Sequence, residues 1–118
     1  MTIDERTDGG VVVLDLHGKF TAGDGDAAIK EKIQQLATRG ATKVVMNFGD
    51  VSYMDSVGLS TMVRSRLTLN QRHGDLKLLH LPRRIADLLA VTRLTMVFEM
   101  FDDEPAAVRS FLPSATDH

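Results

Sequence analysis

Short apolar runs alternate along the chain with stretches in which apolar residues recur at helical spacing. The runs are rich in β-branched residues, which is typical of strands buried in a sheet. They cover residues 11–16, 43–48, 76–81 and 95–101. Within the last run, Met96 and Met100 are expected to face the core. The pattern predicts four core strands, and a helix follows each of them.

Each predicted helix is marked by apolar residues three or four positions apart, which place one apolar stripe along the helix. The first helix is expected to start near Ala27, with Asp24 and Asp26 as candidate caps, and the last to follow Asp102 or Asp103. The stripes consist of Ile29, Ile33 and Leu36; Leu59, Met62, Val63 and Leu67; Ile85, Leu88, Leu89 and Val91; and Ala107, Val108 and Phe111.

Glycine and proline predict where several of these elements end. Gly18 is expected to end the first core strand. Gly40 and Gly74 are expected to close the first two helices, since glycine tolerates the left-handed conformation found at helix C-termini. Pro82 suits the first turn of the third helix, where its missing N–H does no harm, and Pro113 is expected to stop the fourth.

This order of elements predicts an α/β fold with a mixed, mostly parallel β-sheet and right-handed crossover helices. A turn at residues 8–10 would join a leading antiparallel strand to the first core strand. One domain is expected over residues 1–112, followed by a polar tail at 113–118. The loops at 20–26, 50–55 and 81–83 all leave the carboxyl ends of strands, so they are expected to cluster at one functional edge.

Composition narrows the function classes. The chain has 118 residues, a net charge of −2, 43% hydrophobic residues and no cysteine. This charge gives no case for a nucleic-acid surface, and no run approaches the ~20 apolar residues of a membrane span. The four histidines lack metal-ligand spacing, and no Gly-x-Ser-x-Gly elbow is present. The sequence predicts a cytoplasmic binding protein without enzymatic activity, metal or cofactor.

One junction carries the candidate chemistry. Ser56 falls between the second core strand and its helix, where an N-cap is expected. The positive end of a helix dipole favours a phosphate, so this serine is suited to becoming phosphoserine. On spacing alone, however, a purely structural cap is the more common role for a serine at this position. Asp55 also has two possible roles: it could orient the Ser56 hydroxyl or contact a kinase, or it could itself cap the helix.

The segment Met54-Asp55-Ser56-Val57-Gly58-Leu59 resembles the phosphoacceptor loop of the anti-sigma factor antagonists, the STAS-domain family. The resemblance extends over about residues 10–112 and implies a single STAS-like domain. It implies that an anti-sigma factor serine kinase binds the unphosphorylated chain and thereby releases a sigma factor. Phosphorylation of Ser56 would end that binding, and a serine phosphatase would reset it. The partner-binding residues implied are Phe20, Thr21, Asp24, Asp55, Ser56, Val57, Gly58 and Leu59.

Two departures from the family pattern keep an alternative open. Val57 replaces the serine or threonine usual after the phosphoserine, and the loop over residues 18–24 differs from the usual Gly-x-Leu/Ile-Asp. Both lie in the implied partner face. The alternative is a constitutive STAS scaffold or small-ligand-binding regulatory subunit, in which Ser56 is only a cap. The retained Asp55-Ser56 pair favours the phosphorylation switch.

Overall fold

A computed structural model describes residues 1–112 of the chain. The predicted tail at 113–118, including the helix stop at Pro113, lies outside the described residues. The strands are β1 (Thr2–Asp8), β2 (Val11–Phe20), β3 (Lys43–Met54), β4 (Asp75–Leu79) and β5 (Met100–Phe101). The helices are α1 (Asp26–Arg39), α2 (Ser56–Asn70), α3 (Arg83–Val91) and α4 (Glu104–Arg109), with a 3₁₀ turn at Leu94–Met96.

The five strands form one sheet in the order β1-β2-β3-β4-β5. β1 pairs antiparallel with β2, and the remaining pairs are parallel. Side chains from α1, α2 and α3 pack into one core cluster with β2, β3 and β4, whereas Ala107 and Val108 of α4 pack into a second cluster that includes Val11, Val13 and Val45. The predicted α/β fold with a mixed, mostly parallel sheet is confirmed.

Ion pairs tie β1 to helices in both core clusters. Glu5 accepts hydrogen bonds from Arg39 and from Lys32, at 2.6 and 3.1 Å, so β1 is joined to α1. These contacts lower the pKa of Glu5, the Arg39 bond most strongly. The next residue, Arg6, donates to Asp15 of β2 at 2.6 Å and also pairs with Glu104 of α4. The first strand is therefore linked to the last helix.

Strands β2 and β3 are longer than the sequence pattern predicts. β2 does not end at Gly18, which has a φ of 107° and stays inside the strand. β3 does not end at residue 48, so most of the predicted loop at 50–55 is strand. The extension is stabilised by pairing of Gly18 with Val51 and of Phe20 with Met54, across two register shifts at which β3 has one residue more than β2. The second half of each strand contains polar residues, so its sequence lacks the apolar pattern that predicts a strand.

The end of α2 also differs from the prediction. The helix stops at Asn70, and the left-handed residue after it is His73, with a φ of 64°. Gly74 is required for another reason, because a Cβ there would lie 2.0 Å from the carbonyl oxygen of Thr42. Leu67, predicted to face the core, is 53% exposed. Ser65 is buried on α2 instead.

The segment after α3 corrects the prediction of a full last strand. Only Met100–Phe101 pairs with β4, and the preceding residues form the 3₁₀ turn. Met96 is 89% exposed and Met100 40%, so neither is a core residue. Val91 at the end of α3 is also exposed, at 82%. These apolar residues lie at the edge of the fold, where no further layer covers them among the described residues.

Smaller corrections concern helix starts. Gly25 occupies the N-cap of α1, so neither Asp24 nor Asp26 caps that helix. Pro82 is the N-cap of α3 rather than a residue of its first turn. Asp103 caps α4 as predicted, and its side chain accepts a hydrogen bond from the amide of Ala106 at 3.0 Å.

Candidate functional site

The candidate site lies where β2 and β3 end side by side. Phe20 pairs with Met54 in the last register of these strands, and the amide of Asp55 donates to the carbonyl of Phe20 at 3.4 Å. α2 begins at the next residue, Ser56. Ser56 is exposed at this carboxyl edge of the sheet, which is where functional groups collect in α/β folds.

Asp55, not Ser56, caps α2. One oxygen of its carboxylate accepts hydrogen bonds from the amides of Val57 and Gly58, both at 3.0 Å. Ser56 is the first helical residue, and no hydrogen bond involves its hydroxyl within residues 1–112. The prediction of Ser56 as the cap is therefore wrong, and the capping role left open for Asp55 is correct. Sequence spacing could not separate two adjacent residues that both favour this position.

The same carboxylate also holds the loop after β2. Its second oxygen accepts a hydrogen bond from the amide of Ala22 at 3.1 Å. Within that loop, the backbones of Thr21 and Asp24 are bonded to each other in both directions, at 2.8 and 3.0 Å. The amide bonds from Gly58, and then from Ala22, lower the pKa of Asp55. Asp55 thus joins the helix start to the loop as an ionised carboxylate.

Gly58 allows this close packing. A Cβ at this position would lie 2.1 Å from the carbonyl oxygen of Phe20, well inside any tolerated contact. The first turn of α2 therefore rests directly on the backbone at the end of β2. The sequence places Gly58 in the motif but contains no sign of this contact, because the contact joins residues that are distant in the chain.

The implied partner-binding residues divide into a surface group and a buried group. Ser56 is exposed, Val57 is 38% exposed, and Thr21, Asp24 and Asp55 are half-buried. By contrast, Phe20, Gly58 and Leu59 are buried. Phe20 stacks against Phe48 in the core, with 6.4 Å between ring centroids. Contact of these residues with a partner stays a prediction. The side chains of the buried group are not exposed, so they are not available for direct contact with a partner.

Tyr53 was missed by the sequence reasoning. Tyr53 is the next-to-last residue of β3, three positions before Ser56, and its side chain is 47% exposed. Tyr53 and Val57 are thus two exposed large hydrophobic side chains close to Ser56 in the sequence. The signal available in the sequence was a tyrosine next to the Met54-Asp55-Ser56 motif, in a segment that was predicted to be a loop.

Residues 1–112 contain neither a metal-ligand cluster nor a membrane-spanning helix. No group of three His, Cys, Asp or Glu side chains there could hold a metal ion. In the same part of the chain, no helix is both long enough and apolar enough to cross a membrane.

Substitution of Asp55 tests the double role of its carboxylate. Asp55→Ala is expected to lower the Tm by about 5 °C, because the cap and the Ala22 contact are both lost. Asp55→Asn should lose less, since an amide oxygen can still cap. A carboxylate with a depressed pKa stabilises the fold above its unfolded-state pKa and loses this effect as the pH falls through its folded-state pKa.

Thermal unfolding monitored by circular dichroism between pH 7 and pH 2 would measure both effects. The gap between wild type and Asp55→Asn should close only at the acidic end of this range. A gap that is independent of pH would contradict the assignment of an ionised cap.

Known proteins resemble this chain in sequence and in fold. The family model for the STAS domain matches residues 2–107. The anti-sigma-B factor antagonist of Listeria monocytogenes is 32% identical over 85 residues, which cover 69% of this chain and 75% of that protein. The anti-sigma-B factor antagonist of Bacillus subtilis is 35% identical over 72 residues, covering 61% of this chain and 65% of that protein.

Solved structures show the same fold. An anti-sigma factor antagonist from Mycobacterium paratuberculosis superposes with a TM-score of 0.81 at 17% identity, covering 92% of both chains. The Bacillus cell fate determinant SpoIIAA in its phosphorylated form gives a TM-score of 0.71 at 22% identity, covering 92% of this chain and 99% of that one. The family model spans most of the chain, and the fold agrees along nearly its whole length. This chain belongs to the STAS domain family.

Proposed function

We propose that this chain is a cytoplasmic anti-sigma factor antagonist that acts by binding and has no enzymatic activity. In its unphosphorylated form it binds an anti-sigma factor serine kinase, and the sigma factor held by that kinase is released. The kinase phosphorylates Ser56 and the complex dissociates. A serine phosphatase then restores the binding form.

The observation that carries this proposal is the unused hydroxyl of Ser56. The structural alternative assigned that hydroxyl to the helix cap, but the carboxylate of Asp55 already caps α2 at 3.0 Å from two amides. Ser56 is exposed at the start of the helix, beside the partly exposed Val57. A serine hydroxyl that is accessible and not needed for capping is available to a kinase.

The contacts of Asp55 support one way in which phosphorylation would break a complex. The amides of Val57 and Gly58 are occupied by Asp55, so a phosphate on Ser56 would not be neutralised by them. It would add about −1.5 to −2 charges next to an ionised carboxylate. The combined charge would face the partner. An interface that fits a neutral hydroxyl would have to remove water from this charge, which disfavours the complex. The fold itself need not change.

Phosphorylation of the purified full chain by its cognate anti-sigma kinase and ATP tests the proposal. Intact mass is expected to rise by one phosphate, and Ser56→Ala should abolish the increase, because Ser56 is the acceptor. Ser60→Ala is the matched control, since Ser60 is also exposed but lies one turn further along α2. The Ser60→Ala chain should be phosphorylated like the wild type. Continued phosphorylation of Ser56→Ala would refute the assignment.

A further inference from the structure

A groove lies between the end of β3 and the exposed side of α3. It encloses about 360 Å³. Buried Met54 and Ile85, with half-buried Leu88, form its floor, and the exposed side chains of Tyr53 and Val91 form its walls. Walls that are themselves 47% and 82% exposed leave the groove open to solvent. Such a shape fits side chains from a protein surface better than a small ligand, which needs a more enclosing pocket.

The exposed side of α3 has a regular spacing. Arg84, Leu88 and Val91 are separated by four and three residues, so they lie on one face of the helix. This face spans about two helical turns, or ~10 Å. A partner helix lying along it could place apolar side chains between Tyr53 and Val91.

The charge at the start of α3 indicates the chemistry of that partner. Arg83 and Arg84 occupy the first turn, which contains no acidic residue, although cations are unfavourable at this end of a helix. Asp87 also lines the groove. Within residues 1–112, neither arginine forms a salt bridge with Asp87 or with any other carboxylate.

Three other arginines, Arg6, Arg39 and Arg66, pair with carboxylates of this chain. Four more form no salt bridge within residues 1–112, namely Arg64, Arg72, Arg93 and Arg109. Arg83 and Arg84 are therefore distinguished by their position in the first turn of α3, and not by the lack of a salt bridge alone. Two exposed cations in an unfavourable helical position, next to an apolar groove, are complementary to carboxylates of a partner. We propose that the α3 groove docks an acidic amphipathic helix of a protein partner, with its apolar residues between Tyr53 and Val91 and its carboxylates facing Arg83 and Arg84.

This proposal does not depend on the phosphorylation of Ser56, and it can be tested without an identified partner. The probes are two synthetic helical peptides with the same leucine stripe, one carrying glutamate and the other lysine on the polar face. Each is titrated into the ¹⁵N-labelled full chain and followed by NMR. The glutamate peptide should shift the amides of Tyr53, Leu88 and Val91. The lysine peptide should bind at least about tenfold more weakly.

Variants make the test specific. Val91→Asp should weaken binding of the glutamate peptide about tenfold, and Arg84→Glu should reverse the preference between the two peptides. Leu67→Asp is the control, because Leu67 is 53% exposed on a different helix. It should bind like the wild type, as should Ser56→Ala. These exposed substitutions should leave the Tm nearly unchanged.

Four results would overturn the proposal. One is equal binding of both peptides, or no binding. A second is a set of shifted amides away from the groove. The third is self-association of the wild-type chain that Val91→Asp abolishes, since the groove would then be occupied by a second copy. Loss of peptide binding in Ser56→Ala would place the peptide at the phosphorylation site and would also contradict the proposal.

Discussion

Gly58→Ala is expected to lower the free energy of unfolding by about 3 kcal/mol. The added methyl carbon would lie 2.1 Å from the carbonyl oxygen of Phe20. This oxygen belongs to the backbone of a paired strand, so it cannot rotate away as a flexible side chain would. Either α2 or the end of β2 must move, and the hydrogen bonds of Asp55 to the helix and to the loop would be strained together.

Urea unfolding followed by circular dichroism would measure this loss. Gly49→Ala is the matched control, because Gly49 lies in β3 and its Cβ would come no closer than 3.3 Å, to the side chain of Asn47. That change should cost no more than about 1 kcal/mol. Equal stability of the two variants would mean that α2 does not rest on β2 as described.

Ser56→Asp is expected to reduce affinity for the anti-sigma kinase at least about 30-fold, or about 2 kcal/mol, while stability changes by no more than about 1 kcal/mol. The fold should tolerate the change, since a carboxylate in the first helical turn interacts favourably with the helix dipole. Repulsion from Asp55 offsets part of this gain. In a complex the same charge must be desolvated against a surface that fits a neutral hydroxyl.

Isothermal titration calorimetry with the kinase would measure the affinity. Ser60→Asp adds the same charge one turn along α2, at another exposed serine, and should reduce affinity much less. If Ser56→Asp binds as tightly as the wild type, the phosphorylation switch is wrong. The alternative of a constitutive scaffold or small-ligand-binding subunit would then be preferred.

The fold class could be predicted because it depends on periodicity within short segments. Runs such as residues 43–48 marked buried strands, and Gly40 marked the end of α1 in the left-handed conformation. The ends of β2 and β3 were not predicted. The residues there are partly polar and show no strand pattern in the sequence, and they are kept in the sheet by pairing with the neighbouring strand. Val91 and Met96 were assigned to the core because the apolar patterns of a helix and of a strand were continued into these positions. In the structure, Val91 is the last residue of α3 and Met96 lies in the 3₁₀ turn, and both are exposed.

The site was predicted as a location, but its internal contacts were not. The motif identified Asp55, Ser56 and Gly58 from neighbouring positions in the sequence. Which residue caps α2 depends on side-chain geometry, and the need for glycine at position 58 depends on the carbonyl of Phe20, which is far away in the chain. Contacts between distant segments leave no local pattern.

The ion pairs of β1 also bear on aggregation. β2 contains three consecutive valines, Val11, Val12 and Val13, and without β1 its backbone edge would be open to pairing with another chain. Glu5 and Arg6 fasten β1 over that edge from both faces of the sheet. β1 itself is mostly exposed and carries a charge at four of its seven positions, which disfavours the addition of a further strand. The two ion-pair groups therefore protect the chain against edge-to-edge association as well as stabilising the native fold.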